Sequence, residues 1–269
     1  MDGISFSVFT KPWKMPIAEL GQHVGRLGFD GIELPVRPGF QVEPQNVARD
    51  LPIAARQLAE HGLRIFSVAG PTDEATIVTC AELGIPVIRI MAPIGEDGYL
   101  ASEARVQREL DALIPLLDKH GVTIGVQNHN GRYVSNASGL RQLVARYDPR
   151  HVGIVWDASH NALQGEDPEL ALDIAWSHLR MVNLKNAYWR RTSGPEAEAA
   201  RWEIQWTTGR QGLASWPRVV AELKAREYQG VVCLTAEYSD VSAVNRLIAE
   251  DVAYAKSLFG GGSLGHCFH

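Results

Sequence analysis

Cysteine is scarce in this chain and is not arranged to do chemistry. Cys80, Cys233 and Cys267 are three in number, far apart and outside any CxxC pair. That argues against a disulfide framework, a thiolate zinc site and a dithiol redox centre. Free thiols fit a reducing compartment, so a cytoplasmic location is expected. Long apolar runs are lacking too. None approaches the ~18 residues of a membrane span, and the opening MDGISFSVFT has neither the basic stretch nor the apolar core of a secretory leader. Positive charge is in deficit, with 26 Lys and Arg against 31 Asp and Glu, which argues against the basic face of a nucleic-acid binder. What remains is an ordinary apolar share, 45%, on a chain of 269 residues. That suits one large domain with a sizeable core.

The first half repeats one pattern: an amphipathic stretch, a glycine able to close a helix, then a buried apolar run. Gly28, Gly62, Gly84 and Gly121 occupy the glycine position, where a left-handed C-terminal residue carries no Cβ penalty. Strand starts are expected near Ile4, Ile32, Leu63, Val87, Val122, Val152, Leu179 and Val231, mostly spaced by one strand-plus-helix unit of roughly 25–35 residues. Eight strands alternating with helices predict a parallel sheet, and that number closes a (β/α)8 TIM barrel. The barrel is expected over residues 1–259, with a flexible tail at 260–269. Asn136, Ser102 and Asp240 read as helix N-caps, and Pro16, Pro168 and Pro217 as first-turn prolines. The interval from Lys185 to Gly212, with Tyr188, Trp189, Trp202 and Trp206, is too long for a simple βα-loop. It reads as a segment covering the site, or else as a surface excursion packed on its own aromatics.

Four apolar runs in the second half end in polar residues: Gln127-Asn128-His129, Asp157-Ala-Ser-His160, Asn183-Leu-Lys185-Asn186 and Glu237-Tyr238. Parallel strands point their C-termini the same way, so these tips should converge on one face. Asp157 and Glu237 carry the most weight, because a carboxylate closing a buried strand needs a partner, a hydrogen-bond cage or a metal. Arg89, inside the fourth run, reads as a ligand for phosphate or carboxylate or as half of an internal ion pair. Arg37 and Arg132 are left open. Trp13 reads as a stacking surface for a sugar or as packing. His23, His61, His120, His151 and His178 read as structural.

With these stretches in order, the chain resembles the xylose isomerase-like TIM barrels. That superfamily holds the sugar phosphate isomerases and epimerases, inosose dehydratases and the AP endonuclease family 2 enzymes of the endonuclease IV type. The resemblance runs from Ile4 to about Leu258. It is carried by Gly28-Phe-Asp-Gly-Ile-Glu33, Val155-Trp-Asp157-Ala-Ser-His160, Val182-Asn-Leu-Lys185-Asn, Gly209-Arg-Gln-Gly212 and Tyr228 to Glu237. It implies a divalent metal held by glutamate, aspartate, histidine and glutamate at successive strand ends. Asp157 and Glu237 match two of these; Gln127 and Asn183 stand where the other glutamate and the histidine would be. His160 and Lys185 match substrate-contacting positions and Glu33 an acidic position after the second strand; Glu33 and Asn128, the latter between Gln127 and His129, are expected to bind substrate.

The two amides change the expected chemistry. An all-oxygen set favours Mg²⁺ or Mn²⁺ over Zn²⁺, and losing an anionic ligand weakens binding. Glutamine cannot serve as one of two opposed bases, so a two-base epimerase is disfavoured. Glu237 then stands as candidate base, with His129, His160 and Lys185 as acids or electrophiles. The resulting expectation is an isomerase-type enzyme that enolises a small polyhydroxy carbonyl compound, a free or phosphorylated sugar or a polyol. A keto-sugar or inosose dehydratase-type lyase and a catalytically degenerate sugar-binding barrel are the alternatives. A carbohydrate is the expected partner, with no nucleic acid and no membrane, and a homo-oligomer is compatible with the chain. DNA repair of the endonuclease IV type fits poorly, lacking the ligands for a zinc cluster.

Overall fold

The computed structural model describes residues 3–260; of the expected tail, Gly260 belongs to the last helix, and residues 261–269, Cys267 among them, lie outside the described residues. Eight parallel strands close a barrel: β1 (Ile4–Phe9), β2 (Gly31–Pro35), β3 (Arg64–Ala69), β4 (Val87–Met91), β5 (Thr123–Gln127), β6 (Val152–Asp157), β7 (Leu179–Leu184) and the last, β10 (Gly230–Leu234). Their order around the barrel follows the chain, with β10 pairing β1 to complete the ring. All eight expected starts lie within about a residue of these strands. The runs are continuous rather than alternating because both faces are buried.

Outside the ring lie α1 (Ile17–Arg26), α2 (Val47–Ala59), α3 (Glu74–Glu82), α4 (Tyr99–His120), α5 (Ala137–Val144), α6 (Ala158–Leu163), α7 (Pro168–Ala175), α8 (Trp216–Ala225) and α9 (Val244–Gly260). In α1 the buried Ile17, Leu20, Gly21 and Val24 make one stripe, the three-and-four spacing of a helix lying on a core. Gly28, Gly62, Gly84 and Gly121 all take positive φ, as expected of helix-ending glycines. The main core lies between ring and helices. A smaller cluster of Phe9, Ala69, Val87, Val155, Met181 and Cys233 plugs the ring itself. Its packing is tight: a Cβ on Gly125 would meet Val155 Cγ2 at 2.7 Å.

Asn136 caps α5 and Asp240 caps the 3-10 turn before α9, each through its side-chain oxygen. Ser102 is not a cap. It lies inside α4, where Gly98 at φ 91 holds the cap position, and the Ser102 hydroxyl donates back to Gly98 O at 2.7 Å. The long interval after β7 folds as an antiparallel hairpin, β8 (Asn186–Arg191) with β9 (Trp202–Thr207). No helix among the described residues is long and apolar enough to cross a membrane.

Candidate functional site

The polar strand tips do meet at one end of the ring. Register places Asp157 beside Asn183 and Met91 beside Gln127, so neighbouring strands deliver their last residues at one level. Below that level runs a chain of buried polar groups. Glu33 is fully buried and accepts from Arg89 Nε at 2.8 Å and Ser67 Oγ at 3.0 Å. Arg89 Nη1 donates to Gln127 Oε1 at 2.5 Å, and Gln127 Nε2 donates to Asp157 Oδ2 at 2.9 Å. The other Asp157 oxygen accepts the backbone N–H groups of Ser159 and His160, capping α6. Burial raises the Asp157 carboxyl above its usual value, against the pull of Lys185 and those N–H groups. Asn128 faces this framework. It accepts from Asp157 N at 2.7 Å and donates to Asp157 O at 3.1 Å, fixing the β5–β6 tips against each other.

Above the chain stands an ion triad. Lys185 Nζ donates to Glu237 Oε2 at 2.5 Å, and Lys11, from the end of β1, donates to Oε1. Ala236 is left-handed at φ 52, an uncommon state for a residue with a Cβ, and it turns the chain just before Glu237. Burial pushes the Glu237 carboxyl up, but the two ammoniums outweigh it and hold the group at about 2. The Lys185 ammonium lies 3.7 Å from the centre of the Trp206 ring, and that ring meets His160 edge-on at 5.4 Å. The hairpin therefore does cover the site, through Trp206. Its base is tied by Asn186, whose side chain donates to Gly209 O and Ala214 O and accepts from the N–H groups of Ala187 and Ala214.

The histidines form a pair with ring centroids 4.1 Å apart. His129 Nδ1 lies 2.8 Å from Asn130 O; a carbonyl only accepts, which assigns the proton to Nδ1 and the lone pair to Nε2. His160 Nδ1 accepts from Asn130 N at 3.3 Å, which assigns its proton to Nε2, 4.0 Å from Asp157 Oδ2. Burial lowers both histidines below their usual value, and the positive charge of Lys185 adds to it.

Two neighbouring spaces, both lined by Lys11, His129 and Glu237, open above these groups. An inner chamber of about 60 Å³ is lined by Arg37, Arg89, Gln127, His129, His160 and Asn183 among others. An outer one of about 660 Å³ touches Lys11, Trp13, His129, Lys185, Trp206 and Glu237. Trp13 is mostly packed: its indole donates to Asn245 and stands edge-on to His23. Asn183 lies close to Asp157, yet neither its Oδ1 nor its Nδ2 completes a hydrogen bond among the described residues. Of the sequence candidates, His129, His160, Lys185, Glu237, Gln127, Asn183 and Arg89 line these chambers. Glu33, Asn128 and Asp157 lie beneath. Lys11 and Trp206 had not been singled out as site residues; the strand-end rule applied to β1 would have found Lys11.

The donor set does not fit a divalent cation. The Gln127 oxygen faces a guanidinium, both Glu237 oxygens face ammoniums, and both Asp157 oxygens already accept N–H groups. A second positive centre among these cations would be repelled. Among the described residues no group of three or more His, Cys, Asp or Glu is arranged to hold a metal ion.

The family profile described as xylose isomerase-like TIM barrel matches residues 22–258. No curated protein matches the sequence. Among solved structures, a 3-keto-D-glucoside 4-epimerase from E. coli superposes with a TM-score of 0.73 at 17% identity, over 94% of this chain and 99% of that one. D-psicose 3-epimerase from Clostridium cellulolyticum H10 gives 0.71 at 13%, over 95% and 99%. A probable 3-DHS dehydratase from Bacillus anthracis gives 0.70 at 16%, over 94% and 98%. At these identities the likeness carries the barrel and nothing finer.

Proposed function

The chain belongs to the xylose isomerase-like TIM barrel family, and on that footing we propose that it is an enzyme that enolises a small polyhydroxylated carbonyl compound without a resident metal ion. The observation that carries the reading is the Lys185–Glu237–Lys11 triad beside the His129 ring, at the mouth of both chambers. His129 is the base. Its Nε2 lone pair is free of protein partners, and burial keeps the ring neutral. It takes the proton from the carbon next to the carbonyl; the C–H electrons form the C=C bond, and the carbonyl oxygen becomes the enolate oxygen. That oxygen is stabilised by the Lys185 ammonium, a fixed cation in a water-poor site. Glu237, the base expected from the sequence, is a weak base at about 2; its role here is to hold the two ammoniums. The His129 imidazolium so formed is the acid that returns the proton; His160, kept neutral by burial with Nε2 4.0 Å from Asp157 Oδ2, offers that N–H to the substrate as a hydrogen-bond donor only.

When the hydroxyl proton of the deprotonated carbon passes to the enolate oxygen and the His129 imidazolium returns its proton to the former carbonyl carbon, an isomerisation is complete. When the imidazolium instead protonates a departing β-hydroxyl, the enolate re-forms the carbonyl, water leaves and a dehydration is complete. The named relatives include epimerases and a probable dehydratase, so both outcomes stay within the reading. The test is solvent deuterium uptake, followed by NMR across a panel of ketoses and keto acids. Uptake at the carbon next to the carbonyl is expected, falling ~10²-fold or more in His129→Gln and Lys185→Met. Uptake unchanged in both variants, or none from any panel member, rejects it.

A further inference from the structure

Arg37 is a half-buried cation with no carboxylate in ion-pair reach among the described residues. Its guanidinium lines the inner chamber and sits 5.6 Å from the centre of the Phe9 ring, over which Arg89 also lies, at 4.7 Å. Among the described residues the Arg37 side chain makes no hydrogen bond and no ion pair. Burial and the neighbouring Arg89 charge lower its pKa, with Glu33 and Glu237 opposing. Arg89 is already matched by Glu33, and Lys11 and Lys185 share the single carboxylate of Glu237. Of these four cations Arg37 is the one with no carboxylate in ion-pair reach. Across the same chamber is the buried Asn183 amide, with both polar atoms unpartnered. Buried polar groups are almost always paired, so the Asn183 amide, lining one cavity with a guanidinium that has no ion-pair partner, marks a place for a ligand.

The cavity bounds that ligand. About 60 Å³ is roughly four to six water-sized spheres, enough for a carboxylate or phosphate head but not for a sugar ring. The outer chamber, at about 660 Å³, has room for a polyol chain leading from it. We propose that the substrate carries a terminal oxyanion, a carboxylate or a phosphate monoester, seated in the inner chamber on Arg37 with Asn183 as its second donor. This deepens the enolisation reading and rests on it for the identity of the chain that follows the anion.

Titration calorimetry on the intact protein tests it with three acyclic probes of matched chain: D-gluconate, D-glucitol 6-phosphate and neutral D-glucitol. One of the two anions should bind at least ~10-fold tighter than glucitol, the scale of a charge-assisted hydrogen bond, and the one that does identifies the head group. Arg37→Gln should abolish that preference, while Arg37→Lys retains part of it; circular dichroism checks that both variants fold. Asn183→Ala should weaken the anion and leave glucitol unchanged. Glucitol binding as tightly as both anions, no binding of either anion, or a preference unchanged in Arg37→Gln overturns the proposal. None of these readouts involves turnover. Anion preference without deuterium uptake rejects only the enolisation, and uptake without anion preference rejects only this inference.

Discussion

Single side chains at this site are held by charge more than by shape. Glu33 has no solvent exposure and is the one carboxylate matched to buried Arg89. Removing one partner of such a pair strands the other. Glu33→Gln should therefore lower stability by about 3–5 kcal/mol, read as a fall in the denaturant midpoint at unchanged m-value; a loss below about 1 kcal/mol would show that Arg89 finds another partner. The same logic explains why the strand-tip residues could be found in the sequence but not assigned roles. A buried acid at a strand end demands a partner. Which partner it has depends on residues 56 or 226 positions away, as in Glu33–Arg89 and Lys11–Glu237. Arg89 was legible as either an anion ligand or an internal ion pair, and Glu33, on a neighbouring part of the ring, decides for the pair.

At the scale of elements, the site depends on how the hairpin and α9 are anchored. β8 and β9 present Trp206 to Lys185 and His160, and the loop behind them is tied to α9 through Asp251. That carboxylate accepts from Gly209 N at 2.8 Å and from Tyr238 Oη at 2.8 Å. Burial raises Asp251 to about 6 despite both hydrogen bonds. A folded value above the unfolded one, about 3.8, gives a defined sign. The contribution to stability is full below about pH 4, where the group is protonated in both states, and is lost as pH rises through about 6. Stability should thus drop by on the order of 1–3 kcal/mol between pH 4 and 6.5 relative to Asp251→Asn, whose amide keeps an acceptor for Gly209 and cannot ionise. Parallel melting curves for the two proteins across that range check it; identical pH dependence would place the Asp251 value near normal. The hairpin itself was visible in the sequence only as an over-long interval rich in aromatics. Its strands are as long as those of the barrel, but only Asn186 and Ala187 in them are buried, so they lack the continuous apolar run that marked the barrel strands.

For the whole molecule, the barrel collects cations where its family relatives are expected to hold one metal ion. If Lys185 and its neighbours do that work, dialysis against EDTA should leave both the melting temperature and deuterium uptake unchanged. A fall in either that Mg²⁺ or Mn²⁺ restores would return the site to metal chemistry. The sequence by itself determined the architecture, because the buried parallel strands, eight around a closed ring, and the four helix-ending glycines of the first half are local signals. It also determined where the polar residues gather, because every parallel strand ends on the same face. Only the tertiary structure decided which charges neutralise one another. Gln127 turns its oxygen to Arg89, Glu237 is shared by Lys11 and Lys185, and among the described residues Asn183 finds no hydrogen-bond partner and Arg37 no carboxylate. Those pairings join residues far apart in the chain across angstrom-scale gaps, and electrostatic energy at that range depends on distance and burial that no sequence spacing encodes.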